Sequence, residues 1–291
     1  MVTVWILSSC YSPTFNQPTE TSTTQAETPD SNESEAKEAV RQATDEMLFL
    51  VGNYNHNALA EVSLPYTNIG MAGSGKSMTL QQYFDLVNEN KNPIPYYEPA
   101  HRYTIEISED RLAFVRAECY LYRLGVRRSF EDDFFIFIKN DNLWKLLSAS
   151  YTARRLPEAE QVFDLEAFAK SYAQVWGSTR PEFVALFFAE DGAIAVNEGD
   201  PATGRDEITD FARSFMVDIP DMRVLFDSLV SSESTTQFHW TLVGTHGASG
   251  NKIKVSGYEE WILSEDQLIL ESQGHFPSAI YEDQINNGTA N

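Results

Sequence analysis

Between Gln237 and Phe276 apolar and polar residues alternate with a period of two along three runs, a pattern that predicts three strands. Phe238, Trp240 and Leu242 share one face of the first run, opposite His239, Thr241 and Val243. In the second, Val255, Gly257, Glu259 and Trp261 alternate with Ser256, Tyr258, Glu260 and Ile262. In the third, Leu268, Leu270 and Ser272 alternate with Ile269, Glu271 and Gln273. The breaks between runs are short and rich in Gly, Ser, Asn and Asp, so the runs pair as an antiparallel meander.

Upstream the period lengthens. Ala39, Val40, Ala43, Met47, Leu50 and Val51 recur at helical spacing, and Gly52-Asn53 stops that helix. A shorter helix over 57–62, an extended turn-rich passage and a helix over 78–88 follow. Strands are then predicted over 101–107, 112–123, 127–139 and 143–152. A charged linker with Pro157 comes next, and the order repeats. The repeat has a helix over 165–176, a short helix with Pro181 in its first turn, and a short strand over 193–196. Asp191-Gly192 reads as the turn ending the short helix. A helix over 203–216, a strand over 222–230 and the meander complete it.

Helices first and strands after is α+β order. Each half is therefore expected to form a cone-shaped half-barrel of about three N-terminal helices and a curved antiparallel sheet enclosing a cavity. The expected organisation is a signal-like segment over 1–10, a tether over 11–34, one domain over 35–155, a linker over 156–162, a second domain over 163–285 and a tail over 286–291.

Charge narrows the partners. The formal net charge of −22 excludes the basic stripe that a nucleic-acid partner requires. No apolar run approaches the ~18 residues of a membrane span. The two cysteines are too few for a disulfide framework, and neither has a metal-ligand neighbour at Cys-x-x-Cys spacing. No metal or cofactor is expected.

Leu7-Ser8-Ser9-Cys10, behind a brief apolar run, resembles the lipobox of bacterial lipoproteins, in which the cysteine is lipidated. The Thr-, Ser-, Pro- and Glu-rich stretch behind it has the composition of a flexible tether. The expected location is the bacterial cell envelope, lipid-anchored and extracytoplasmic, with a soluble cytoplasmic protein as the alternative. The anchor would be the chain's contact with the membrane.

Residues 70–77 fit the expression of a nucleotide-binding P-loop. The polar stretch before them, broken by Pro65, is not the buried strand that a P-loop needs, and antiparallel strands follow. The segment is expected to be a glycine-rich turn before the next helix, with a P-loop nucleotide binder as the distant alternative.

The second half resembles SnoaL-like domains of the nuclear transport factor 2-like superfamily. The residues that carry the likeness are Gly204, Arg205 and Ile208, then Pro220-Asp221, Trp240, Gly244-Thr245-His246, Gly257, Glu260-Trp261, Glu271 and His275-Phe276. The likeness spans roughly residues 163–285, and the first half is similar in element order. It implies two cones in tandem, in a superfamily that holds cyclases, isomerases, dehydratases and many non-catalytic domains. Where cyclases of this kind carry an acid/base aspartate on the last strand this chain has Gly274, and Pro277 replaces a second.

The expected function is binding of a small apolar molecule in a cone cavity, or an envelope scaffold. The alternative is acid–base chemistry on a carbonyl substrate by His275, His239, Tyr258 or Glu260. Trp240, Trp261, Tyr172 and Trp176 are the expected ligand-binding aromatics. Pairing of the two domains within one chain is expected, with a homodimer as the alternative. Metabolic labelling with a lipid analogue should mark the protein and fail on Cys10→Ser; an unlabelled parent would remove the anchor.

Overall fold

The computed structural model describes residues 31–232 and 235–289. Cys10 lies outside them. Helix α1 (Ser31–Gly52) starts inside the stretch read as tether and buries Val40, Thr44, Met47 and Leu50. Helix α2 (His56–Glu61), strand β1 (Ser63–Met71), strand β2 (Lys76–Thr79) and helix α3 (Leu80–Asn88) follow. Strands β3 (Ala100–Ser108), β4 (Leu112–Arg123), β5 (Val126–Asn140) and β6 (Leu143–Arg155) complete a six-stranded sheet in the order β2-β1-β6-β5-β4-β3.

The second unit repeats the plan with helices α4 (Leu165–Trp176) and α5 (Glu182–Ala185), strands β7 (Phe188–Val196) and β8 (Ala202–Thr203), and helix α6 (Gly204–Asp218). Strands β9 (Arg223–Ser231), β10 (Thr236–Thr245), β11 (Lys252–Leu263) and β12 (Ile269–His275) then give the order β8-β7-β12-β11-β10-β9. Helix α7 (Ser278–Asn287), whose apolar residues are too weakly periodic to be legible, none of them buried, is the last described element. The two sheet orders are the same once the strands are renumbered, so the duplication lies in topology.

Both sheets are mixed rather than purely antiparallel, because β1 runs parallel to β6 and β7 runs parallel to β12. These two strands correct the sequence reading. Pro65 hides β1; it falls where the ladder is interrupted between Ser63 and Asn68, so its missing N–H breaks no pairing there. Asp191-Gly192 lies inside β7 rather than in a helix-ending turn, opposite an irregularity between Ile269 and Glu271. The close approach of the Ile269 carbonyl, 2.8 Å from where a Cβ on Gly192 would sit, explains the glycine.

The P-loop-like glycines close the β1–β2 hairpin. Met71 pairs with Lys76 across a single 3-10 turn, and Gly75 takes the left-handed conformation. Lys76 sits on a strand. The N-terminus of α3 is capped by Thr79 and Gln82 in a reciprocal box, which occupies the amides a phosphate would need.

The two units dock through α4. Asn53 donates to the Gln174 carbonyl at 3.0 Å, and the Gln174 amide donates to the Tyr96 carbonyl at 2.8 Å. Arg223 lies 3.6 Å over the Phe49 ring and 2.6 Å from Glu46. The β4–β5 turn, Leu124-Gly125, has both residues left-handed, as a two-residue hairpin of this hand requires. It tucks beneath α4, where a Cβ on Gly125 would lie 2.6 Å from the Phe168 Cβ. Gly125→Ala is therefore expected to destabilise by about 2–4 kcal/mol, combining backbone strain with overpacking. Gly75→Ala, also left-handed but with nothing within 4 Å, should lose only about 1 kcal/mol. Urea denaturation of the two variants checks the contrast, and equal losses would show that Gly125 is not a docking point.

Candidate functional site

Of the two cone interiors, the roomy one is in the first domain. A cavity of about 700 Å³ opens between α1, α2, α3 and the inner face of the sheet. Leu48, Leu59, Ile69 and Phe135 form much of its apolar wall, and Tyr83, Tyr96 and Tyr151 add aromatic faces. Three carboxyl groups also line it: Glu98, Glu131 and Asp133. Arg123, Arg128 and Arg155 line it too, the last two exposed to solvent.

Strand geometry explains why the acids converge. On β5, Ser129, Glu131, Asp133, Phe135 and Phe137 are in phase, so the acids point inward with the phenylalanines. Asp133 pairs with Ala117 on β4, and Glu131 pairs with Cys119. Glu98 arrives from the segment before β3, which Tyr97 pins by exchanging backbone hydrogen bonds with Tyr122 at 3.0 and 2.8 Å. Asp133 is 3% exposed and Glu131 4%. Glu131 accepts a hydrogen bond from Ser129. Asp133 Oδ1 is buried without a hydrogen-bond partner, an expensive state for a carboxylate.

Burial pushes the Asp133 carboxyl up to about 7, and the neighbouring Glu131 charge adds to it. Burial first, then the Asp133 and Glu131 charges, holds Glu98 well above the usual carboxylate range. Burial likewise raises Glu131 against the pull of Ser129. Like charges this close titrate as a unit, so the cluster keeps protons into the neutral range. The Glu98, Asp133 and Cys119 donor atoms lie within 4.8 Å of one another, a set able to contact a divalent cation. Burial holds the Cys119 thiol protonated, which a metal would have to displace.

The second domain is packed where the first is hollow. A recess of about 50 Å³ remains, walled by Trp176, Phe211, Phe215, Trp240 and Phe276 among others. Glu259 is its buried acid. Its Oε2 accepts from Ser272 Oγ at 2.7 Å, Trp261 Nε1 at 2.9 Å and the Tyr172 hydroxyl at 3.1 Å. Burial pushes this carboxyl up while the three donors pull it back.

The residues singled out from sequence fall into three places. Tyr172 and Trp261 are fully buried core, and the pair serves Glu259. Trp176 and Trp240 wall the small recess, where Trp240 Nε1 finds no partner. His239, Tyr258 and His275 are cross-strand neighbours stacked at 5.4 and 4.8 Å, with Glu260 3.8 Å from His275. They lie together on the sheet face opposite Glu259 and Trp261, outside the recess. Sequence reasoning passed over Glu98, Glu131 and Asp133. The legible signal was a pair of acids in phase with Phe135 and Phe137.

Two helix-covered, mixed six-stranded sheets of one topology form tandem half-open cones, α+β and not closed into barrels. Residues 169–272 match the family model of the SnoaL-like domain, so the second unit is a SnoaL-like domain. No curated protein matches the chain. Similar solved structures include a hypothetical protein with a ketosteroid isomerase-like fold from Catenulispora acidiphila, in complex with trimethylamine. It is 17% identical and covers 40% of this chain and 88% of its own, with a TM-score of 0.37. A putative polyketide cyclase from Bacillus cereus is 15% identical, covering 46% and 87%, with a TM-score of 0.37. A putative SnoaL-like polyketide cyclase from Jannaschia is 11% identical, covering 39% and 84%, with a TM-score of 0.36.

The acid cluster makes stability depend on pH. Asp133 in the unfolded chain ionises near 3.8, whereas the folded protein holds its proton to about 7. Between those values the unfolded state releases a proton the folded state keeps, so folding loses stability as pH rises. Asp133→Asn should therefore gain on the order of 2 kcal/mol over the parent at pH 8 and nothing near pH 4. Urea midpoints across that range measure it, and a gain independent of pH would contradict the assignment.

Proposed function

We propose that this chain is a small-molecule-binding protein whose binding unit is the first domain, with the SnoaL-like second domain as its packed partner. The observation that carries this is the contrast between about 700 Å³ of lined space in one cone and about 50 Å³ in the other. A pocket of that size with an apolar wall and a few convergent polar groups suits a largely apolar molecule bearing one polar end. We further propose that Cys10 tethers this unit to a membrane, outside the cytoplasm.

A second reading rests on Asp133. A buried carboxyl titrating near neutrality beside a second raised carboxyl is equipment for moving protons on a carbonyl substrate. That chemistry would then belong to the first domain rather than to the His275 face.

Titration with a fluorescent apolar dye tests the binding reading. Ala149 lines the cavity at 8% exposure, so Ala149→Phe fills it and is expected to weaken dye uptake at least tenfold. Trp240→Ala, in the other cone, should leave uptake unchanged. Circular dichroism checks that both variants fold. Uptake that survives Ala149→Phe and disappears in Trp240→Ala would move the site to the second domain and refute the proposal.

A further inference from the structure

We propose that the occupant of the first-domain cavity is an organic cation, an ammonium group on an apolar body, seated against Glu98 and Asp133. This rests on the reading of that cavity as a binding site and adds the chemical class of what it holds.

The two sheets supply the argument, because each is a control for the other. Starting from the last residue of the strand that runs parallel, one row crosses each sheet. It reads Met71, Tyr151, Asp133, Ala117 in the first domain and Val196, Gly274, Glu259, Phe238 in the second. A carboxyl stands third in both. In the second domain two of its three donors, Trp261 and Ser272, come from the adjacent row that begins at Ile194. The adjacent row in the first domain begins at Ile69 and places Phe135 and Ala149 there, neither of which has a side-chain donor. Ala117 also stands where Phe238 fills the second cone. The same fold position thus has an acid that lacks the tryptophan and serine donors, keeps only the Glu98 carboxyl and Cys119 thiol beside it, and has space opened in front of it.

What is left calls for a donor from outside. Asp133 Oδ1 is an acceptor without a partner on a side chain that is 3% exposed and lines the cavity. Among the described residues, no lysine, arginine or histidine lies within ion-pair distance of Glu98, Glu131 or Asp133. Three neighbouring acids, of which Glu131 raises Asp133 and both raise Glu98, have no internal cation and are relieved by a positive charge brought in. An ammonium provides that charge and N–H donors together. Tyr83, Tyr96 and Tyr151 line the same cavity, and aromatic rings attract a cation more than a neutral ligand. Of the three arginines at the cavity, Arg128 and Arg155 are exposed, so solvent screens their repulsion of an entering cation; the half-buried Arg123 opposes it but pairs with none of the three acids.

The groups facing Asp133 fix the pH behaviour. Glu98, Glu131 and Cys119 crowd it, and the three tyrosines stay neutral over the working range. As pH rises through neutrality the cluster sheds a proton while an alkylammonium keeps its own, so an amine gains affinity and a neutral isostere does not.

Calorimetric titration of the full chain with phenylbutylamine and the matching alcohol, phenylbutanol, at pH 5 and pH 8 tests this. The amine is expected to bind at least tenfold more tightly than the alcohol at pH 8, with the ratio falling towards one at pH 5. Asp133→Asn and Glu98→Gln should each collapse the ratio at pH 8 while the alcohol still binds. An alcohol that binds as tightly as the amine at pH 8, or a ratio untouched by both substitutions, overturns the inference and leaves the binding site standing. Failure of both ligands with the apolar dye still taken up also overturns it. Failure of dye and ligands together removes the binding reading itself, and the inference with it.

Discussion

A carboxyl group buried on the inner face of a curved sheet is the constraint around which both halves of this chain are arranged. Removing such a group from water is expensive unless donors or charge replace the lost hydration. The second domain solves the problem internally. Tyr172 from α4, Trp261 from β11 and Ser272 from β12 all donate to one oxygen of Glu259. Those donors are also the bulk that fills the cone, since Tyr172 meets Trp261, Phe187 and Phe238 edge-on and Phe238 stacks on Trp261 at 4.8 Å. Satisfying the acid and closing the cavity are one event.

The first domain keeps the acid and drops the solution. With alanines at 117 and 149 there is no bulk to close the cone, and with phenylalanine at 135 there is no donor. The helix above the sheet follows suit, since α1 presents Met47, Leu48 and Val51 where α4 presents Phe168, Tyr172 and Trp176. Aliphatic side chains leave a void that three aromatic rings would occupy. The cost of the unsatisfied cluster shows as protons held into the neutral range. Docking sets what the void can do. Asn53, Tyr96 and the Leu124-Gly125 turn lie against α4, so the packed domain braces elements that flank the open one.

Much of the fold was legible because it rests on periodicity. Helix α4 follows its apolar spacing from Leu165 to Trp176, and the strands from β3 to β6 follow their alternation to within a few residues. What escaped was set by pairing partners distant in sequence. Pro65 disguised β1, whose irregular register hides the missing N–H, and Asp191-Gly192 imitated a turn inside β7. The site was less legible for a related reason. Glu259 and Glu260 are adjacent, and only the phase of β11 decides which is inside. Trp261 gave that phase, since a residue two away from a buried tryptophan shares its face. The histidines drew attention by residue type, yet His239, Tyr258 and His275 align across three strands on the other face.

The same reasoning bears on how a duplicated fold divides its labour. Two copies of one topology need not share one task, since an inner-face acid can be locked by its own domain or left available. Here locking is done largely by Tyr172 and Trp261, whose rings exclude ligand, so this arrangement satisfies the acid by giving up the opening. A chain with one cone of each kind escapes that conflict. Dense aromatic contacts stabilise the packed copy, and stability in reserve lets a protein tolerate a costly buried cluster elsewhere. The family resemblance is strongest in the half whose cone is full. The hollow half lies outside the matched residues 169–272, as expected where widening a cavity and removing donors change the inner-face residues while strand order and hydrogen-bond ladders remain.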